Sequence, residues 1–167
     1  IPQKFFEKRF LSHRELTDSI NKTIEILKDI CKDDVQILFT VSPVRHTKDG
    51  IVENQLSKSK LLTAIHESIS GKENCSYLPV YEILMDDLRD YRFYKDDMIH
   101  PNSQAVQYIW EKFGNAFFKD ETKEFITENF KIAKSLEHRT FDDKNPKYQE
   151  FLENLKGRIA LQQTKVK

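Results

Sequence analysis

The run Val35-Gln36-Ile37-Leu38-Phe39-Thr40-Val41, followed at once by Ser42-Pro43, decides the fold class of this chain. It is apolar and rich in β-branched residues, too short for a helix and closed by a breaker, so it reads as a strand buried on both faces, as in a parallel sheet. Upstream, Ser12-His13-Arg14-Glu15 forms a capping box, and Leu16, Ile20, Ile24, Leu27 and Cys31 recur at helical spacing. These predict an amphipathic helix over 12–31, broken by Asp33-Asp34, with His13 solvated in its first turn. Downstream, the polar stretch 47–56 with its Asp49-Gly50 turn signal reads as a loop on the substrate side. Ser57 then caps a helix through Ile69, with Leu61, Leu62, Ile65 and Ile69 on one face and Gly71 past its end. Ser76 to Val80 reads as a second short strand, which Pro79 places at an edge or at a strand end. Helix, strand, helix, strand and helix in that order imply parallel βαβ units.

The 167 residues suit one modest domain with a core of its own. Lys+Arg and Asp+Glu are both 27, a formal net charge of zero, which gives no electrostatic argument for nucleic acid or an anionic membrane. No apolar run approaches the roughly 18 residues of a membrane span, and no signal peptide is visible. Cys31 and Cys75 form neither a disulfide framework nor a zinc clasp, which points to a reducing, cytoplasmic setting. His13, His46, His66, His100 and His138 lack metal-binding spacing, so neither a metal nor another cofactor is expected.

The chemistry concentrates in Tyr91-Arg92-Phe93-Tyr94-Lys95-Asp96-Asp97-Met98-Ile99-His100-Pro101-Asn102. Pro101 biases His100 toward extended backbone, and a helical pattern resumes only after Asn102, so the histidine stands on a loop entering a helix. A histidine acting as general base needs one ring nitrogen free and the other held as N–H by an acceptor. Asp97 is spaced to turn back and provide that acceptor; the competing reading is that it only caps a turn. Asp96 is the nearest rival acid.

The surrounding residues are more particular than the pair. Thr40-Val41-Ser42-Pro43-Val44-Arg45, Ser59-Lys60, Tyr81-Glu82-Ile83, Leu88-Arg89-Asp90-Tyr91-Arg92-Phe93-Tyr94 and Asp97-Met98-Ile99-His100-Pro101 together resemble the C-terminal half of the GSCFA domain over roughly positions 1–118. That family in turn resembles the SGNH, or GDSL-like, hydrolases. The resemblance implies a three-layer α/β/α domain represented here by its C-terminal portion, with Asp97 and His100 as acid and base of a triad. The Gly-Ser-Cys-Phe-Ala segment that would bring the nucleophilic serine does not occur in this sequence, nor does a strand with an oxyanion-hole Asn. Together with the initial Ile1, this fits a truncated or cleaved product whose partner is the N-terminal part of the same domain. The implied reaction is hydrolysis or transfer of an acyl ester, plausibly of a carbohydrate. The alternative is a non-catalytic pseudoenzyme or a helical binding module.

Ligands in open α/β sheets gather beyond the carboxyl ends of strands, which puts Ser42, Arg45 and His46 on the rim with Asp97 and His100. Ser42 lacks a nucleophile elbow and reads as a turn residue. Arg45 and His46 are candidates to bind a substrate carboxylate or phosphate or a developing oxyanion, and Arg92, among Tyr91, Phe93 and Tyr94, to line a sugar or acyl cleft. Arg89 and Asp90 read as loop braces, and Glu82 as a contact of the site or of that loop. Asn102 or Ser103 caps a helix to about 118, whose stripe Ala105, Val106, Ile109, Trp110 and Phe113 is expected to hold the His100 loop against the sheet, with Trp110 in the core. Residues 119–167 form a helical appendage. Its first helix runs about 120–138, with Phe125, Ile126, Phe130, Ala133 and Leu136 on one face and His138 at its end. The second runs about 146–163, with Tyr148, Phe151, Leu152, Leu155 and Ile159. Their hairpin must bury its stripe on the α/β domain or on a second subunit, making a homo-oligomer one expected outcome.

Overall fold

A computed structural model describes residues 2, 5–32, 35–137 and 145–165. Asp33, Asp34 and His138, to which the sequence assigned roles, lie outside them. The fold is α/β and mostly helical: among the described residues there are six α-helices and one small parallel sheet of two strands. The chain divides into two compact units, Ile1–Glu111 and Lys112–Lys167.

In the first unit, α1 (His13–Cys31) starts from Ser12, whose Oγ accepts from the Glu15 N–H while the Glu15 carboxylate accepts from the Ser12 N–H. Arg9 chelates the same carboxylate at 2.6 and 3.1 Å and, with the Ser12 N–H, holds the Glu15 carboxyl down at about 2. Lys32, at φ 54°, ends the helix. His13 is exposed, as expected, and its Nε2 also pairs with Glu67, tying α1 to the following helix.

Strand β1 (Ile37–Phe39) pairs in parallel with β2 (Cys75–Tyr77), Ile37 opposite Cys75 and Phe39 opposite Tyr77, and α2 (Ile51–Ile69) is the crossover between them. Both strands are shorter than their apolar runs. The ladder's last bond is from the Leu78 N–H to the Phe39 carbonyl at 2.8 Å, and the next amide in line, Val80, turns back to the Leu78 carbonyl at 2.8 Å, so the pairing stops there. Val41 lies past the ladder and joins Ile65 and Tyr81 in a buried cluster that Ile20, Leu61, Leu62, Ile69 and Phe39 close over.

Helix α2 begins two turns before the expected cap at Ser57. A 3-10 turn, Thr47–Asp49, runs into Gly50, whose φ of 102° redirects the chain, and the Gly50 carbonyl accepts from Asn54 to start the helix. Its first turns carry Ile51, Val52 and Leu56 in exposed positions, so no apolar periodicity marks them. After β2, α3 (Val80–Glu82) widens into a π-helical turn, Ile83–Leu88, ended by Arg89 at φ 45°, whose N–H reaches the Leu84 carbonyl at 3.1 Å. Helix α4 (Ser103–Phe117) starts in this unit, capped by Asn102, whose Oδ1 accepts from Ala105. Trp110 is not core: it is 40% exposed, and the buried residue of the stripe is Ala105, packed on Leu84 and Phe93.

In the second unit, α5 (Asp120–Leu136) and α6 (Pro146–Thr164) run back along each other, with Asn145 capping α6 and Pro146 at its first turn. Arg158 pairs with Glu128 at 2.6 Å, and Gln162 donates to Asn129 and to the Phe125 carbonyl. These contacts turn the 125, 128, 129 and 132 side of α5 toward α6, with Ile132 and Leu155 buried. Phe130 and Leu136, expected on that face, are exposed instead.

Removing the Ser12 hydroxyl leaves a first-turn N–H of α1 without its acceptor. Ser12→Ala is expected to lower the unfolding free energy by about 1 kcal/mol, read from the urea midpoint, with Ser12→Asp close to wild type. An unchanged midpoint in the alanine variant would mean that the Arg9–Glu15 pair holds the helix end without the cap.

Candidate functional site

The loop between the π-helical turn and α4 is closed by its own backbone. Asp90 caps a 3-10 turn, Tyr91–Phe93, by accepting from the Arg92 N–H at 2.9 Å, and Phe93 is buried against Leu84 and Ala105. Tyr94 and Pro101 then face each other in an antiparallel bridge: the Lys95 N–H donates to the His100 carbonyl, and the Asn102 N–H to the Phe93 carbonyl, both at 2.8 Å. The side chain of Asn102 adds a bond to the Arg92 carbonyl at 2.6 Å. Asn102 thus caps α4 and clamps the base of the loop.

Within the closed loop, the Met98 N–H returns to the Lys95 carbonyl at 2.8 Å, and Met98 takes φ 57°, uncommon for a residue with a side chain. That turn brings the Asp97 carboxylate back over the following residues. Its Oδ1 accepts from the Ile99 N–H at 2.8 Å and the His100 N–H at 3.0 Å, while Oδ2 meets His100 Nδ1 at 2.7 Å. Asp97 therefore caps the turn and orients the imidazole with one carboxylate, so the two readings of the sequence describe the same group. The His100 N–H, then the imidazole, then the Ile99 N–H hold the Asp97 carboxyl well below the usual carboxylate range. With Nδ1 committed as donor, Nε2 is the nitrogen left for proton transfer. No described residue hydrogen-bonds it, and the side chain is half exposed. Asp96 is exposed and takes no part in holding His100.

The three expected binding residues separate. Arg45 joins the loop: its N–H donates to the Ile99 carbonyl at 3.1 Å and its Nη1 to the Met98 carbonyl at 3.0 Å, with the guanidinium about 6 Å from the Tyr91 and Tyr94 ring centres. His46 turns away to Asp49, at 3.0 Å, and Lys8. It lines a different cavity of about 450 Å³, walled also by Phe10, Leu16, Asn54 and Lys60. Arg92 lies over the Phe93 ring at 4.9 Å and 3.8 Å from Asp90, largely exposed, as a brace of the 3-10 turn. Arg45, Tyr91 and Tyr94, with Leu84, Met85, Arg89 and Asp90, surround a second cavity of about 260 Å³ that shares two of its walls with the His100 loop.

Ser42 Oγ accepts from the Val44 N–H at 3.2 Å, a turn serine, and Glu82 accepts from the Tyr77 hydroxyl, away from the loop. Lys58 is the residue that sequence reasoning passed over. It is 8% exposed, its Nζ donates to the Ser42 carbonyl at 2.5 Å and lies over the Tyr81 ring, and no described carboxylate pairs with it. Burial lowers its pKa. The signal was available: 58, 61, 62, 65 and 69 share one helical face. Among the described residues no three His, Cys, Asp or Glu side chains gather as a metal site, and no helix is long and apolar enough to cross a membrane.

Because the folded chain favours ionised Asp97, its contribution to loop stability is complete above the ordinary aspartate value of about 3.9 and is lost as the pH falls through its lower folded value. The Ile99 and His100 amide resonances should accordingly hold their positions as the pH passes through 4 and move only well below it. Titration of those amides at the ordinary aspartate value would show that the carboxylate is not held as described.

No curated protein and no solved structure matches the chain significantly. The GSCFA family model matches residues 1–113, which cover the sheet, the crossover helix and the whole Asp97–His100 loop, and the chain belongs to the GSCFA family.

Proposed function

We propose that this chain supplies the acid–base half of a serine-type acyl hydrolase or acyltransferase of SGNH-like, three-layer architecture, with the nucleophilic serine carried by a segment outside these 167 residues. The observation that carries the reading is the Asp97–His100 contact: Oδ2 to Nδ1 at 2.7 Å, the Asp97 carboxylate anchored by two amides, and Nε2 without a described partner. Such a pair is arranged to take a proton, hold the resulting imidazolium, and give the proton back.

In the reaction, His100 Nε2 takes the hydroxyl proton as the serine oxygen attacks the ester carbonyl carbon. Collapse of the tetrahedral intermediate breaks the bond to the leaving alcohol, which receives that proton from the imidazolium. A water, or the hydroxyl of an acceptor, then attacks the acyl-enzyme with His100 as base again; the acyl–serine bond breaks, the serine oxygen takes the proton back from the imidazolium, and a carboxylic acid or a new ester is released. Asp97 stays ionised throughout and stabilises the imidazolium. The substrate class is an acyl ester, with an O-acylated carbohydrate the leading member, and the partner required for turnover is the N-terminal part of the same domain.

The test uses the protein from the complete coding region together with the 167-residue chain, both assayed on p-nitrophenyl acetate. The complete protein should turn over, His100→Ala should lower kcat by at least about 10²-fold with unchanged thermal unfolding, and the 167-residue chain should show no turnover. A fully active His100→Ala variant would remove His100 from the mechanism. A complete protein without turnover on an ester panel would favour the binding reading over the catalytic one.

A further inference from the structure

The cavity of about 260 Å³ beside the His100 loop has a lining that selects its ligand. Arg45 spends one guanidinium N–H on the Met98 carbonyl; of the five a guanidinium carries, the others meet no acceptor among the described residues. It makes no ion pair with any described carboxylate. The second cation on the lining, Arg89, is only loosely engaged, at 3.5 Å from Asp86 with both side chains largely exposed. The single lining carboxylate, Asp90, is already occupied by the Arg92 N–H and lies 3.8 Å from the Arg92 guanidinium. The lining is therefore short of one negative charge.

The remaining walls are flat and apolar. Tyr91 and Tyr94 stand 6.3 Å apart at 45°, both flanking Arg45, and the exposed Met85 adds aliphatic surface. The volume lies below the roughly 300–1,000 Å³ of cavities for drug-sized ligands, which suits one ring and not two. A guanidinium edge pairs with a carboxylate through two parallel bonds, which a hydroxyl or a neutral amide cannot match.

We infer that this cavity is a binding site for a single six-membered ring bearing a carboxylate, a uronate or an aromatic acid, held through the free edge of Arg45 and the faces of Tyr91 and Tyr94. The inference builds on the proposed hydrolase reading by naming a charged group of its substrate. Arg45 reaches the Met98 and Ile99 carbonyls while lining the cavity, so a carboxylate seated there is coupled to the loop that carries His100.

The experiment is a binding titration of the 167-residue chain followed by amide chemical shifts and by calorimetry, with D-glucuronate, benzoate and, as the neutral control, D-glucose. Glucuronate or benzoate should saturate the chain and shift the Leu84, Tyr91 and Tyr94 amides, with glucose at least tenfold weaker. Whichever of the two acids binds tighter identifies the ring as sugar or aromatic. Arg45→Lys, which keeps the charge and loses the fork, should weaken the acid at least tenfold. Tyr91→Ala, which removes an exposed ring and no backbone bond, should weaken it with the unfolding temperature unchanged. Binding of neither acid, equal binding of glucose, or full binding by a folded Tyr91→Ala variant together with Arg45→Lys would overturn the inference. None of these readouts requires turnover. His100→Ala should still bind the acid, so a failed hydrolase reading and a failed binding site give different results.

Discussion

One carboxylate organises the loop that leads into α4. Asp97 accepts two consecutive amide N–H groups and an imidazole, and each bond limits the freedom of the others. The amide bonds fix the carboxylate before the imidazole meets it, so the histidine is oriented by an acceptor that is itself held. A carboxylate on a free rotor would lose entropy each time the imidazolium formed, whereas one seated on backbone donors is already in place. The backbone closure between Phe93 and Asn102 depends on the same turn: the left-handed Met98 reverses the chain so that the Lys95 N–H and the His100 carbonyl meet.

Support for the loop comes from two directions, and neither is the direct packing of α4 on the sheet that the sequence suggested. Ala105, with no exposed surface, lets α4 approach Leu84 and Phe93, fixing the loop from its C-terminal side. From the other side, Arg45 links the segment after β1 to the Met98 and Ile99 carbonyls. That segment is itself pinned by Lys58, whose ammonium reaches the Ser42 carbonyl from within the buried face of α2. A buried ammonium without a carboxylate is costly unless its donors are used. Here one donor is used on the Ser42 carbonyl, in the turn that follows β1.

The parts of this arrangement that a sequence reveals are those written locally. The capping box at Ser12, the apolar run ending at Ser42, the spacing of Asp97 and His100, and the Asn102 cap all involve residues within a few positions of each other, and all appear in the structure. What escaped reading was set by distant partners. The pairing of the exposed His13 with Glu67 was hidden because they are 54 residues apart, and Arg45 and His46, adjacent in sequence, diverge because Met98 takes one and Asp49 the other. The early start of α2 was hidden for a different reason: its first turns bury little, so they leave no periodicity. The faces of α5 were misassigned because polar contacts from Arg158 and Gln162, and not the apolar count, set which side meets α6.

The sheet bears on the catalytic reading through its size. Two parallel strands of three residues each pair along one edge apiece, and an isolated pair of strands is marginal in water, while parallel sheets are ordinarily covered on both faces. On the proposed three-layer reading, further strands beside this pair would occupy its free edges and would end at the rim where the Ser42–Arg45 turn meets the His100 loop, because parallel strands share the direction of their carboxyl ends. On the hydrolase reading the serine arrives by that route, carried by a strand or the turn after it, to face Nε2. The division of labour then has a physical basis. On that reading the Asp97–His100 contact needs no help from the nucleophile's segment, because every bond that holds the carboxylate is local to one loop.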